Sequence, residues 1–220
     1  MSRMFGFIVK TWNPVTGCLH DCYNGKCWAS LICNRFKKKW GYDFSPRFHF
    51  ERLNEKFKPN TLVFTVSMGD LFGWWVKPEW IEKILNKIKE NPKTTFFLET
   101  KNPPRYWHFS IPKNTIKSTT IETNRNYKVS KAPSPLERYK AFKYLDGVKH
   151  VSIEPIMDFD HDVLLKWISE IEPWKVSIGY DNYNAKLPEP SIAKTKALIK
   201  DLKAIGIQVE IKNQFLKEVE

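Results

Sequence analysis

The chain has 220 residues, of which 42% are hydrophobic and 27% charged, and its formal net charge is +12. This composition is typical of a globular domain with a core, which excludes fibrous and disordered classes, and the basic excess should attract polyanions. No apolar run approaches the roughly 20 residues that span a bilayer, and the apolar part of the N-terminus is too short for a signal peptide, so we expect a cytoplasmic protein without a membrane partner.

Short β-rich runs alternate with amphipathic helical stretches, and no repeat or linker divides the chain, so we expect residues 1–220 to form one domain. Several of the runs are apolar at consecutive positions, as in strands buried on both faces of a parallel sheet. In chain order, the predicted strands are Phe5–Val9, Leu62–Val66, Thr95–Leu98, Ser118–Ile121, His150–Ile153, Lys175–Ile178 and Gln208–Ile211.

The helical stretches between these runs have recognisable starts. Proline at a first helical position and serine as a cap mark them, at Pro78, at Pro135 or Leu136, and at Ser191; Val163, Leu164, Trp167 and Ile168 form another apolar stripe, and Gly206 ends the last helix. Strand followed by helix, about six times, predicts an α/β fold. We expect a partial (β/α)6-type TIM barrel, with a candidate additional C-terminal strand, rather than an open sheet.

The reason for preferring a barrel is the polar character of the strand ends. The apolar runs finish in Ser67-Met68-Gly69-Asp70, Glu99-Thr100-Lys101-Asn102, Glu122-Thr123-Asn124-Arg125, Glu154-Pro155, Gly179-Tyr180-Asp181-Asn182 and Lys212-Asn213. In a barrel these ends converge on the face where active sites lie. One carboxylate after a strand can simply cap the next helix, but five of them at one mouth indicate a polar site.

Three of the four cysteines, Cys18, Cys22 and Cys27, fall within a stretch of ten residues in the loop that follows the first predicted strand. Soft thiolate ligands suit zinc and iron. A disulfide is disfavoured in a reducing compartment, and closing so short a loop contributes little. A closed zinc site that also uses His20 or Cys33 remains an alternative, although zinc ligands usually come as two separated pairs and no second pair follows.

Two neighbouring residues have their own interpretations. Cys33, on the first predicted helix, could complete a closed four-cysteine cluster, but burial as a small side chain is the interpretation we favour. His20 is expected to be a loop residue or a hydrogen-bond donor rather than a metal ligand. The basic run Arg35–Trp40 and the nine tryptophans support an alternative function, a non-catalytic metal-binding protein that binds nucleic acid.

A strand followed by a three-cysteine loop, in a barrel of six βα units, resembles the radical S-adenosylmethionine (radical SAM) superfamily. More narrowly, the opening Thr11-Trp12-Asn13-Pro14-Val15-Thr16-Gly17-Cys18 resembles an uncharacterised prokaryotic and phage-associated branch. That branch also contains short motifs similar to Ser67–Phe72, Thr100–Pro103, Thr120–Asn124, Ser152–Pro155 and Gly179–Asn184. The similarity runs in order from residue 11 to about residue 190.

The resemblance implies that Cys18, Cys22 and Cys27 hold three irons of a [4Fe-4S] cluster, whose fourth iron chelates S-adenosylmethionine. An electron from the reduced cluster would cleave the sulfonium and yield a 5′-deoxyadenosyl radical, which abstracts hydrogen from a substrate. The implied partner is an electron donor similar to flavodoxin or ferredoxin. The substrate is not specified, but the basic charge favours an anion, with nucleic acid as the candidate.

The cysteine spacing departs from the common superfamily pattern of three residues and then two, with an aromatic residue before the third cysteine. Here four residues separate Cys22 from Cys27, and Lys26 stands in the aromatic position. Gly25 tolerates positive φ and could let the longer loop fold back. Tyr23 or Trp28 is then the candidate for the adenine contact.

The resemblance also implies cofactor-binding roles at the strand ends. The end of the second strand commonly contacts the methionine amino group, and this position falls on Ser67, Met68, Gly69 or Asp70. Glu122 and Glu154 would reach the ribose or the substrate. Positive charge at the mouth would come from Lys101, Arg125 and Lys212, for each of which a structural ion pair is the alternative.

Overall fold

The structure, a computed structural model, describes residues 5–212, which are organised around a parallel β-sheet. The strands are β1 (Lys10–Trp12), β2 (Val15–Thr16), β3 (Arg47–Phe48), β4 (Leu62–Thr65), β5 (Thr95–Thr100), β6 (Thr115–Thr120), β7 (Val148–Ile153), β8 (Lys175–Ile178) and β9 (Gln208–Ile211). Seven of them form one sheet in the order β1-β4-β5-β6-β7-β8-β9, with every neighbouring pair parallel. β2 and β3 form a separate antiparallel pair.

The α-helices lie between the strands: α1 (Trp28–Trp40), α2 (Pro78–Lys89), α3 (Pro135–Lys143), α4 (His161–Ile171) and α5 (Ile192–Ala204). The predicted starts are confirmed, with Pro78 and Pro135 in first turns and Ser191 accepting the Lys194 N–H at 3.2 Å. Ser134 and Glu137 cap α3 reciprocally, a pairing the sequence analysis did not single out. Within residues 5–212 no helix is long and apolar enough to cross a membrane.

Six of the seven predicted strands are confirmed within three residues at each end, and the α/β class with them. The first, Phe5–Val9, is wrong, because the chain joins the sheet only at Lys10. Residues 5–8 form a turn instead, closed by the Ile8 N–H donating to the Phe5 carbonyl at 3.1 Å. The terminal Asn213 of the last predicted strand end lies outside the described residues.

One crossover also differs from the repeated strand–helix unit. β5 and β6 are joined by a 3₁₀ helix, Pro103–His108, where the sequence predicted continued alternation with α-helices. Pro103 and Pro104 lack N–H groups and fix φ, which suits a single tight turn better than a longer helix. Within residues 5–212, Phe50–Asn54 is a further 3₁₀ segment, and Cys22–Gly25 forms a short turn in which Tyr23 and Asn24 have left-handed φ and ψ angles.

The two faces of the sheet differ in what covers them. One face packs against the helices in the main core, which contains Val63, Phe96, Val151, Val176, Ile84, Leu164 and Leu198. The other face surrounds the ring of Phe5, whose centroid lies 5.9 Å from Phe64 on β4 and 5.3 Å from His150 on β7. Lys212, directly after β9, places Nζ 4.2 Å from the same centroid.

These contacts require strong curvature. β4 and β9 are five strands apart, which in a flat sheet corresponds to about 24 Å, yet both reach the ring of Phe5. Among the described residues β1 and β9 are not paired with each other, so the curved sheet stays open. Residues 5–9 cross this opening, since the Gly6 N–H donates to Glu210 Oε1 at 2.7 Å and the Val9 N–H to the Leu62 carbonyl at 3.0 Å.

We expect Phe5→Ala to lower the free energy of unfolding by about 3–5 kcal/mol, because it empties the centre of the concave face. Urea denaturation followed by circular dichroism measures the change. Phe50→Ala is the matched control, since Phe50 is 65% exposed and its loss should change stability by less than about 0.5 kcal/mol. Equal effects of the two substitutions would contradict a central role for Phe5.

Candidate active site

The three clustered cysteines follow a close contact between two strand ends. Gly17, directly before Cys18, forms an isolated parallel bridge with Gly69, and its N–H donates to the Met68 carbonyl at 2.9 Å. A Cβ atom on Gly69 would lie 2.7 Å from the Gly17 carbonyl oxygen, a distance that real Cβ atoms essentially never show. Glycine is therefore required for this approach, which fixes the start of the cysteine loop beside the end of β4.

Asn13 fixes the same strand end from the side of β1. Its Oδ1 accepts the Met68 N–H at 2.9 Å and the Ser67 hydroxyl at 3.3 Å. The predicted site residues Ser67, Met68 and Gly69 are thus brought next to the cysteine loop. Asn13 belongs to the opening motif, but sequence reasoning assigned it no role of its own.

Cys18, Cys22 and Cys27 line one cavity of about 450 Å³. The remaining lining residues are Leu19, Asp21, Gly25, Ser30, Phe44, Trp74 and Lys131. This volume falls within the range of small-ligand sites. Cys33 is 1% exposed on α1, with Sγ 4.0 Å from the Tyr42 carbonyl oxygen, and it does not line the cavity, which confirms the prediction of burial.

All four thiols are free. Burial raises the pKa of the Cys18 thiol well above its usual value, and the negative charge of Asp70 acts in the same direction. Burial also raises the pKa of Cys22 to about 12, although Lys101 opposes the shift. A metal bound through thiolates would therefore displace protons from this site. In the part of the chain described, no three Cys, His, Asp or Glu side chains lie close enough together to hold one metal ion.

The segment between Cys22 and Cys27 has an unusual backbone. Tyr23, Asn24 and Gly25 all have positive φ, at 58°, 53° and 77°, which confirms that Gly25 adopts the conformation expected of it. This left-handed winding accommodates the longer gap between the two cysteines. The segment is anchored from outside, because the Tyr23 N–H donates to the Val129 carbonyl at 2.7 Å.

Glu122, at the end of β6, ties the cysteine loop to the sheet. Its Oε1 accepts the Tyr23 hydroxyl at 2.6 Å and pairs with Lys101, and its Oε2 lies 2.9 Å from the guanidinium of Arg138 on α3. Burial alone would raise the pKa of this carboxyl, which is 1% exposed, but Arg138 and Lys101 outweigh burial and hold the pKa well below its usual value. Glu122 is therefore an ionised buried carboxylate.

Asp70 and His20 form a second buried pair beneath the loop. His20 Nε2 lies 2.9 Å from Asp70 Oδ2, and the ring of His20 packs edge-on against Trp75 at 4.8 Å. Asp70 also accepts the Thr100 hydroxyl and the backbone N–H groups of Phe72 and Lys101. His20 is thus a hydrogen-bonded loop residue, as expected. The contact of Asp70 with a methionine amino group stays a prediction.

The other predicted site residues lie in two places. Glu154 Oε2 is 3.8 Å from Lys212 Nζ at the ends of β7 and β9. Arg125 instead pairs with Asp158 and Asp160, so the alternative of a structural ion pair is the one the structure supports for it. Lys101 is likewise paired, with Glu122.

Sequence reasoning missed the buried Arg138, because an arginine in a helix is normally predicted to lie on the solvated surface unless its tertiary partner is known. It also missed the rim of the cavity, formed by Trp74 and Lys131, whose side chains are highly exposed. Trp74 carried a weak signal, since it lies in an aromatic pair soon after the polar end of β4.

A family model described as "Protein of unknown function (DUF5131)" matches residues 4–180. No curated protein sequence matches the chain. Spore photoproduct lyase complexed with dinucleoside spore photoproduct is similar with a TM-score of 0.58 and 10% identity, over 90% of this chain and 74% of that one. A double mutant of that lyase with bound AdoMet and the same dinucleoside gives 0.57 and 10%, over 91% and 75%.

Streptococcus suis SuiB bound to S-adenosylmethionine is similar with a TM-score of 0.56 and 12% identity. The match covers 97% of this chain and 52% of SuiB, so the chain spans about half of that protein. At these identities the likeness shows the fold alone. The shared fold is the α/β arrangement built on the parallel sheet.

We expect Glu122→Gln to lower the free energy of unfolding by about 3–5 kcal/mol at pH 7, because Arg138 and Lys101 lose their buried counter-charge. The folded-state pKa of Glu122 lies below its unfolded value, so its contribution is present above about pH 4.3 and is lost as pH falls towards the folded value. The stability difference between wild type and variant should therefore shrink between about pH 5 and pH 2.

Urea unfolding at a series of pH values measures this difference. Glu82→Gln on the exposed face of α2 is the control and should leave stability unchanged within about 0.5 kcal/mol. A difference between wild type and Glu122→Gln that stays constant over the acid range would contradict an ionised, charge-stabilised Glu122.

Proposed function

The chain belongs to the DUF5131 family, described as proteins of unknown function, and we propose that it is a radical SAM-type enzyme that binds a [4Fe-4S] cluster and S-adenosylmethionine. The observation that carries the proposal is that three free cysteines line one cavity beside the end of β4. The similar folds solved with AdoMet or S-adenosylmethionine bound support it.

The donor set fits such a cluster. Cys18, Cys22 and Cys27 would ligate three irons, which leaves one iron for a ligand, while Cys33 is buried elsewhere on α1. Lys131 at the rim of the cavity is paired with Asp21, its Nζ lying 3.1 Å from Asp21 Oδ2. When bound, the cluster and S-adenosylmethionine supply a radical that abstracts hydrogen, and the protein orients the reactants and excludes side reactions.

We infer that the curved sheet is the partial (β/α) barrel of this superfamily. Its support is the parallel pairing in chain order, the helices on one face and the curvature around Phe5. In such a barrel the carboxyl ends of the strands form the active-site face. The cysteine loop, anchored beside Gly69, would then cover that face.

We propose that S-adenosylmethionine lies between the cysteines and the strand ends. Ser67, Met68, Gly69 and Asp70 are the proposed contacts for its methionine part. Glu154, whose side chain is 26% exposed, is better placed to reach a bound ligand than Glu122, whose oxygens are already paired with protein groups. Glu122 would therefore act through Tyr23, by positioning the loop that carries the cysteines.

The proposed substrate is an anion, with nucleic acid as the candidate. Trp74 is 66% exposed at the rim of the cavity, close in sequence to the buried strand end, and Lys131 shares that rim. An exposed aromatic ring can stack a nucleobase, and a lysine beside it can contact the adjoining phosphate, for which it would exchange its present partner Asp21. A flavodoxin- or ferredoxin-like electron donor remains the proposed protein partner, and the cytoplasm the proposed location.

Anaerobic reconstitution with iron and sulfide tests the cluster. We expect an electron paramagnetic resonance signal of a reduced [4Fe-4S] cluster that changes when S-adenosylmethionine is added. Cys18→Ala, Cys22→Ala and Cys27→Ala should each abolish the signal, because each removes one of three thiolate ligands.

Cys33→Ala is the matched control and should keep both the cluster and its response to S-adenosylmethionine. A cluster signal that does not change when S-adenosylmethionine is added would indicate a closed four-thiolate site. Tightly bound zinc in place of iron would overturn the enzyme proposal in favour of a basic metal-binding module.

We expect Trp74→Ala to weaken the binding of single-stranded oligonucleotides by about 5- to 150-fold, the loss typical of one stacked base. Fluorescence anisotropy at several salt concentrations measures the affinity and its electrostatic part. Trp174→Ala is the control, since Trp174 precedes β8 at the opposite end of the strands. Equal affinities for wild type and Trp74→Ala would remove nucleic acid as the candidate substrate.

A further inference from the structure

The concave face of the sheet carries buried polar side chains beneath the cysteine loop. Ser118 on β6, His150 on β7 and Ser177 on β8 are all fully buried. The inside of a (β/α) barrel is usually filled by branched apolar side chains. Burying a polar group costs free energy unless it is hydrogen-bonded, so each of these three side chains needs a hydrogen-bond partner inside the fold.

The three residues belong to a continuous line of contacts that crosses five strands. Ser118 Oγ lies 3.4 Å from Glu99 Oε1 on β5 and 2.8 Å from His150 Nδ1. On the other side of the ring, His150 Nε2 lies 3.0 Å from Ser177 Oγ, which in turn lies 2.8 Å from Glu210 Oε2 on β9. A carboxyl group therefore ends the line on each side.

The two ends lie in different surroundings. Glu99 is the next-to-last residue of β5, immediately before Thr100 and Lys101, which contact Asp70 below the cysteine loop. Glu99 is partly exposed. Glu210 lies on the edge strand β9 and accepts the Gly6 N–H across the opening of the sheet. The line thus joins the candidate site to the open edge.

The number of hydrogen atoms in this line is fixed by its chemistry. Four hydrogen bonds need four hydrogens, of which the two serine hydroxyls supply two and a neutral imidazole one. His150 is neutral, because burial, together with the charges of Lys175 and Lys212, lowers its pKa to about 3. With His150 neutral, all four contacts can be hydrogen bonds at once only if one of the two carboxyl groups carries the fourth hydrogen, so the complete line holds a single additional proton at one of its ends.

We propose that Glu99, Ser118, His150, Ser177 and Glu210 form a proton relay between the candidate site and the open edge of the sheet. When Glu210 is protonated, its hydrogen passes to Ser177, the Ser177 hydrogen to His150 Nε2, the Nδ1 hydrogen to Ser118, and the Ser118 hydrogen to Glu99. The result is a protonated Glu99, an ionised Glu210 and an imidazole changed from its Nδ1–H to its Nε2–H form. No electrons are transferred.

The charges around Glu99 make it suited to exchange a proton near neutral pH. Burial raises its pKa to about 7, and Glu154 adds to the shift. The charged groups that face Glu99 are Asp70, Lys101, Glu154 and Lys212. Lys175 and Lys212 face His150. Glu154 faces Glu210. A pKa near 7 suits Glu99 both to accept and to release a proton near neutral pH.

The relay itself does not depend on a cluster, whereas the exchange of a proton between Glu99 and a bound substrate rests on the proposed function. The test therefore uses the metal-free full chain, so that failure to bind iron and failure of the relay are separate outcomes. Imidazole ¹⁵N NMR at pH 8 reports which ring nitrogen of His150 carries hydrogen.

The relay predicts opposite tautomers in two matched variants. In Glu99→Gln the amide can donate to Ser118 while Glu210 is ionised, so His150 should carry hydrogen on Nε2. In Glu210→Gln the amide can donate to Ser177 while Glu99 is ionised, so the hydrogen should be on Nδ1. Glu90→Gln, exposed at the end of α2, is the control and should leave the wild-type pattern unchanged.

The same tautomer in both relay variants, or hydrogen on both ring nitrogens at pH 8, would overturn the relay. A second measurement follows the carboxyl ¹³C titration of Glu99. Glu210→Gln should lower the pKa of Glu99, because Ser118 is then free to donate to the ionised carboxylate. In a Ser177→Ala background, Glu210→Gln should leave the pKa of Glu99 unchanged. An equal pKa shift in the wild-type and Ser177→Ala backgrounds would contradict transmission along the line.

Discussion

The buried charge of Glu122 is the interaction on which the candidate site depends. It joins three parts of the molecule that are distant in sequence, the cysteine loop through Tyr23, the end of β5 through Lys101 and helix α3 through Arg138. A charge removed from water is stable only with close partners, so each of these groups restricts where the others can lie. The position of the cysteines relative to the sheet follows from this mutual constraint.

The concave face combines two kinds of packing. Around Phe5 it is aromatic, with Phe64 and Phe97 in contact with the ring, whereas further along the sheet it is polar, from Ser118 to Ser177. His150 belongs to both, since its ring packs on Phe5 and its nitrogens contact the two serines. Aromatic packing keeps water away from the polar line, and this low-dielectric setting strengthens hydrogen bonds between protein groups.

Sequence patterns predicted the elements better than the contacts between them. The consecutive apolar residues of β4 and β8 identified buried strands, and Pro78 and Ser191 identified helix starts, because these signals are local. The run Phe5–Val9 has the same composition as a strand, but Phe5, Phe7 and Ile8 pack into the apolar cluster of the concave face, while Val9 is 56% exposed. Composition alone does not distinguish these two uses.

The same distinction holds for the site. Cysteine spacing predicted the group of thiols, since three residues within one loop must lie near each other. The pairing of Glu122 with Arg138 and the line through His150 join residues on different elements, whose distances are set by sheet curvature and helix packing. No spacing along the chain carries that information.

The left-handed backbone from Tyr23 to Gly25 has a consequence for how a cofactor would be acquired. Such conformations are strained for residues other than glycine and persist only where surrounding contacts impose them. Here the imposing contacts are protein groups, the Val129 carbonyl and the Glu122 carboxylate. Small zinc domains, by contrast, fold only when the metal arrives. Protein contacts therefore set the conformation of this loop without a cofactor. Under the proposed function, an assembly factor would supply iron and sulfide but would not need to fold the chain.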